Sequence, residues 1–76
     1  MLFSKKTIEK KIHIEGLKCG GCVKRVENVL KTFKEIKSFN VSLEEKVATI
    51  SLKKDIDNNI LKESITNLGF SVINIE

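Results

Sequence analysis

The sequence predicts an α+β fold, a four-stranded antiparallel sheet with two helices on one face. Three observations predict it: short stretches that alternate apolar and polar residues, two stretches with helical apolar spacing, and the order in which they follow one another. With 76 residues the chain is sized for one domain, and residues 1–76 are read as a single unit with no linker. A domain this small buries only about 60% of the surface its unfolded chain exposes, so chemistry is expected at the surface, on a loop or a helix end.

The first alternating run covers residues 7–14, with Ile8, Ile12 and Ile14 on one face beside the stem of Lys10. The Gly-rich stretch E-G-L-K-C-G-G-C then breaks the alternation. Val23, Val26, Val29, Leu30 and Phe33 follow at helical spacing and predict an amphipathic helix over residues 21–34. Residues 36–43 alternate again, placing Phe39, Val41 and Leu43 together, and Glu44-Glu45-Lys46 reads as a tight connection. In residues 46–54, Ala48, Ile50 and Leu52 share a face, so these two strands should form a hairpin. Asp57 or Asn58 can cap a second helix presenting Ile60, Leu61, Ile65 and Leu68, with Gly69 at the C-terminal glycine position. Residues 70–75 read as a closing strand. The order strand, helix, strand, strand, helix, strand is the ferredoxin-like βαββαβ arrangement, two βαβ halves of similar length.

Composition narrows the function. The formal charge is +4, and the lysines are scattered, which reads as a solvated surface, with a docking face for an acidic partner as the other reading. No apolar run approaches the ~20 residues that span a bilayer, and the opening MLFSKKTIEKK has no apolar core of a signal peptide. The expected location is the cytoplasm, without membrane insertion, where thiols stay reduced and paired cysteines serve metals or redox chemistry. No acid–base pair, nucleophile–base pair or phosphate loop is evident, so no enzyme is expected. An RNA-binding sheet needs stacking aromatics on its central strands, and K-V-A-T-I-S-L-K-K has none, so no nucleic-acid partner is expected.

Cys19 and Cys22 are the only cysteines, spaced C-x-x-C around Gly20 and Gly21 where a strand gives way to a helix. The amides and dipole at a helix N-terminus stabilise thiolates, and Lys18, Lys24 and Arg25 add positive charge. The glycines let both sulfurs lie on the same side of the loop. A closed zinc site wants four ligands. The one histidine, His13, alternates onto the face opposite Ile12 and Ile14 and is not expected to be a ligand. Two sulfurs suit Cu(I), a soft ion content with few thiolates, while zinc would have to recruit Glu15, water or a second molecule. A thioredoxin-like redox centre has the same strand-then-helix placement; against it stand the short chain and the lack of any proline to supply that fold's cis-proline.

G-L-K-C-G-G-C followed by V-K-R-V-E-N-V-L resembles the heavy-metal-associated domain family, whose pattern is G-M-x-C-x-x-C-x-x-x-V-E. The resemblance runs over residues 8 to 75 and includes Leu68, Gly69 and Phe70 as the late L-G-F. It implies a small copper chaperone or a soluble metal-binding module of a P-type metal-transporting ATPase; the family also includes periplasmic mercury binders. It implies that Cys19 and Cys22 hold the metal, with Gly16, Leu17, Lys18, Gly20, Gly21 and Phe70 supporting the loop. Leu17 stands where the family has a core-anchoring Met, and Phe70 where it has an aromatic or a lysine close to the loop; an aromatic there implies a bacterial-type protein. Phe70 read without the family is a core aromatic opening the last strand. Lys18 stands where zinc- and cadmium-selective members carry an acidic residue, which favours Cu(I). Glu35-Ile36 replaces a common Gly-Val, a change of turn. The implied cargo is Cu(I), with Ag(I), Hg(II) or Zn(II) as alternatives. The implied partner is a P-type metal-transporting ATPase or another cysteine-bearing metal acceptor, and the chain is expected to be a monomer without metal, able to form a metal-bridged dimer.

Overall fold

A computed structural model describes residues 8–18 and 20–76; Thr7, expected in the first strand, and Cys19 lie outside the described residues. The elements are β1 (Ile8–Glu15), α1 (Gly20–Leu30), β2 (Ile36–Ser42), β3 (Val47–Leu52), α2 (Asn58–Thr66) and β4 (Ser71–Ile75). This is the expected ferredoxin-like order. The four strands form one antiparallel sheet in the order β2-β3-β1-β4.

The core follows from strand alternation. Ile12 and Ile14 of β1 and Ala48, Ile50 and Leu52 of β3 are almost wholly buried, and their cluster also contains Val26, Leu30, Leu61 and Ile65 of the helices. Full burial of such side chains stabilises the fold by about 1.5–3 kcal/mol each before chain entropy is counted. The two central strands therefore carry the sheet, and both helices cover the same face. That leaves the β1–α1 connection at one end of the sheet.

Several details of the elements differ from the sequence reading. Helix α1 stops at Leu30 instead of residue 34, because Thr32 turns the chain: its amide and its hydroxyl both donate to Val29 O, at 3.0 and 2.6 Å. Phe33 still packs on the core from beyond the helix end. Leu43 falls in the turn over residues 43–46 and is 39% exposed, since β2 ends at Ser42. Lys46 closes that turn with φ 58°, a left-handed conformation uncommon outside glycine. Ile60 is 50% exposed, because the buried stripe of α2 runs through Leu61 and Ile65, and its neighbour in sequence points about a quarter-turn away.

The start of α2 is built more firmly than its sequence suggested. Asp57 is the N-cap and its carboxylate accepts from Asn59 N at 2.9 Å. Ile56, just before the cap, is buried in the same cluster as Leu61, four residues into the helix, an arrangement known as a hydrophobic staple. Lys10 reaches across from β1: its Nζ donates to Ile56 O at 2.7 Å and to Asn58 Oδ1, and lies 3.0 Å from Asp55 Oδ1. Replacing Asp57 with Ala should cost about 1 kcal/mol, lowering the thermal midpoint by roughly 4–8 °C. Circular dichroism melting checks this; an unmoved midpoint would mean that the cap contributes nothing.

Candidate metal centre

The chain leaves β1 at Glu15 and must reach α1 within a few residues. Gly16 makes the turn with φ 107°, a conformation that favours glycine, and a Cβ there would lie 3.2 Å from Phe70 Cδ1. The close approach and the backbone twist both call for glycine. Leu17 then turns inward and is 2% exposed within the core cluster, while Lys18 is exposed. The loop is therefore held from below by one aliphatic side chain and presents its polar neighbour to solvent.

Gly20 opens α1, and Gly20 and Gly21 are both exposed. Cys22 lies in the first turn of the helix, half-buried, with its side chain packed against the core cluster. No acidic residue occupies that first turn, and Lys24 and Arg25 follow immediately on exposed positions. Backbone amides at a helix N-terminus carry partial positive charge, so the local field favours a thiolate at Cys22. Cys19, expected to be its companion, is outside the described residues.

Phe70 is 9% exposed and belongs to the core cluster, while its ring edge also meets Gly16. Its two sequence readings, core aromatic and neighbour of the loop, thus describe one position. Gly69 precedes it with φ 102°, after Asn67 has ended α2. Arg25 does more than add positive charge near the cysteines. Its Nη2 donates to Leu68 O at 2.9 Å, and its guanidinium carbon lies 5.6 Å from the centre of the Phe70 ring. Residues more than forty positions apart leave no local pattern, so the sequence carries no signal for this contact.

His13 belongs elsewhere. It faces away from the helices, between Val47 and Asn74 on the neighbouring strands, and its Nε2 is 2.6 Å from Glu76 Oε2. Among the described residues no three His, Cys, Asp or Glu side chains stand together as a metal site, and residues 1–7 contain none of those types. A four-ligand site built around Cys19 would need three more ligands from this chain, and they are not assembled. Among the described residues no helix is long and apolar enough to cross a membrane.

Comparison with known proteins agrees with this fold. The fold matches that of a CopZ metallochaperone with a TM-score of 0.79, at 24% identity, over 87% of this chain and all of that one. It matches the N-terminal domain of PacS from Synechocystis PCC6803 with a TM-score of 0.78, at 17% identity, over 91% of this chain and 97% of that one. At such identities the likeness is one of fold. In sequence the chain is 27% identical over 70 residues to copper-transporting ATPase 1 of Rhizobium meliloti (strain 1021), covering 92% of this chain and only 8% of that protein. Residues 5–71 match the model of the heavy-metal-associated domain, and the chain belongs to that family.

Proposed function

We propose that this protein carries one Cu(I) ion on the thiolates of Cys19 and Cys22 and hands it to a partner by thiolate exchange. The observation that supports the reading is the sequence pair C-x-x-C, whose second member sits in a helix first turn without acidic residues, and among the described residues no group of three metal-ligating side chains stands together. Soft thiolates select Cu(I) over harder ions, and Cu(I) accepts two of them. Ag(I) and Hg(II) fit the same chemistry, and Zn(II) would need ligands from outside the chain.

Under-coordination is what makes delivery feasible. An incoming cysteine thiolate adds to the ion, one copper–sulfur bond to this chain then breaks, and repetition moves the ion across. The oxidation state of copper does not change, and each thiolate released is available for a proton. The partner is a protein with its own cysteine pair, a P-type metal-transporting ATPase by the chemistry of the relatives, and the setting is the reducing cytoplasm. A second reading keeps the binding chemistry and changes the context: a metal-binding module joined to such a pump. The similarity to a short stretch of a copper-transporting ATPase favours it. The size of the native gene product on an immunoblot separates the two.

The test of the shared chemistry is an anaerobic titration of reduced protein with Cu(I) against a strong chromophoric chelator, with Zn(II) in parallel. Near-stoichiometric Cu(I) binding is expected. Tighter Zn(II) binding, or a disulfide that cycles readily in place of copper, would overturn the reading. With a net charge of +4, and with Lys18, Lys24 and Arg25 exposed near the site, transfer to an acidic partner should slow as salt rises. Stopped-flow transfer rates checked over a range of ionic strength would contradict a docking role for these charges if they stayed constant.

A further inference from the structure

Arg25 lies one turn beyond Cys22 on α1, and residues three apart on a helix share a face. Although its position is exposed, its side chain is fixed at two points. Nη2 donates to Leu68 O at 2.9 Å, and the guanidinium carbon lies 5.6 Å from the centre of the Phe70 ring, within the range of a cation–π contact. The segment it grips is a short reversal: Leu68 N and Gly69 N bond back to Ile65 O and Thr66 O, Gly69 has φ 102°, and Phe70 turns into the core. Phe70 in turn meets Gly16, where a Cβ would come within 3.2 Å of Cδ1, and Gly16 leads into the buried Leu17. A continuous path of contacts therefore runs from the helix that bears Cys22, through Arg25 and Phe70, to the loop that leads to the cysteines.

We propose that Arg25 is a positioning residue: its planar guanidinium clamps the turn at residues 68–70, so that the Phe70 ring walls the loop at Gly16 and slows release of a cysteine-bound soft cation. The inference rests on the carrier reading for the cation and on the contacts above for the clamp. Exchange needs a flank through which a competing ligand can approach, and a ring that is held restricts that flank. Only a planar, multiply donating cation can bond Leu68 O and lie over the ring together, so lysine should not substitute. A role limited to favourable charge at the end of α2 would, by contrast, survive in a lysine variant.

The experiment compares Arg25→Lys and Arg25→Gln in the whole chain by two readouts. In reduced, metal-free protein, NMR should show the Phe70 ring resonances shifted in both variants. Amide hydrogen exchange at Gly16 and Leu17 should be about fivefold faster, as expected for the loss of one exposed contact of this type, with Ile50 unchanged. In copper-loaded protein, the rate at which a chelator strips Cu(I) should rise about fivefold in both variants. Phe70 resonances and Gly16 exchange that match the native protein in either variant would overturn the clamp, and the lysine variant alone matching would reduce Arg25 to a point charge. Altered Phe70 with an unchanged stripping rate would overturn the link to release. Native protein that binds no Cu(I) would sink the carrier reading and the release effect, and the metal-free readout distinguishes that failure from failure of the clamp.

Discussion

Replacing Cys22 with Ser should lower Cu(I) affinity by more than about a hundredfold, because even groups that merely support a metal ligand cost about 10–100-fold when lost. The hydroxyl of serine is a hard, neutral donor at physiological pH, a poor replacement for a soft thiolate on Cu(I). Cys19→Ser should have the same effect if the two thiolates share the ion equally. The fold should survive both changes, since Cys22 is only half-buried at a helix start and packs on the core without filling it. Chelator competition with Cu(I) reads the affinity, and thermal melting of the metal-free protein checks that the fold is retained. Either serine variant holding copper as tightly as the native chain would end the dithiol reading. A large drop in melting temperature without copper would instead assign Cys22 to the core.

The architecture was legible because a half-buried strand and an amphipathic helix each write their period into the chain. Ile8, Ile12 and Ile14, or Ala48, Ile50 and Leu52, lie on one side of a pleat and cannot be read as helix. Where the reading slipped, a local device overrode the period. Thr32 ended α1 early by turning back on Val29 O, although Phe33 continued the apolar spacing. Ile60 continued the apolar content of α2 but sits off its buried stripe. Ile56 stands isolated among Lys53, Lys54, Asp55 and Asp57 and belongs to no periodic run; the signal that places it in the core is the staple spacing to Leu61 across a capping Asp57.

The candidate site was legible to a different degree. C-x-x-C enclosing two glycines at a strand–helix junction is a compact local pattern, and Gly16, Leu17 and Cys22 could be placed relative to one another by sequence proximity alone. The wall opposite the loop could not. Phe70 reaches Gly16, and Arg25 reaches Leu68, through the packing of α2 and β4 against the first half of the chain, and such contacts follow from topology and not from spacing. The family resemblance supplied Phe70 as a neighbour of the loop, but nothing in it supplied Arg25.

Leu17→Ala should destabilise the protein by about 2–5 kcal/mol, the range for emptying a buried leucine site. Leu17 is 2% exposed and sits in the core cluster just after Gly16, so the loss opens a cavity directly beneath the metal loop. A chain of this size has a total stability of about 4–11 kcal/mol, so the variant should melt at least roughly 8 °C lower and could be largely unfolded at the high end. Leu17→Met keeps the volume and adds no polar group, so it should cost under about 1.5 kcal/mol. That contrast matters for function as well as for stability. If Leu17 anchors the loop, Cu(I) affinity should fall in the alanine variant beyond what its unfolded fraction explains and remain near native in the methionine variant. Denaturant melts with and without Cu(I) separate these terms, because binding to the native state alone adds a stabilisation set by concentration and affinity. A Leu17→Ala protein that melts within a degree or two of the native one would show that the buried side chain contributes little. An alanine variant that is destabilised yet binds copper normally in its folded fraction would leave Leu17 a core residue and remove it from the support of the metal loop.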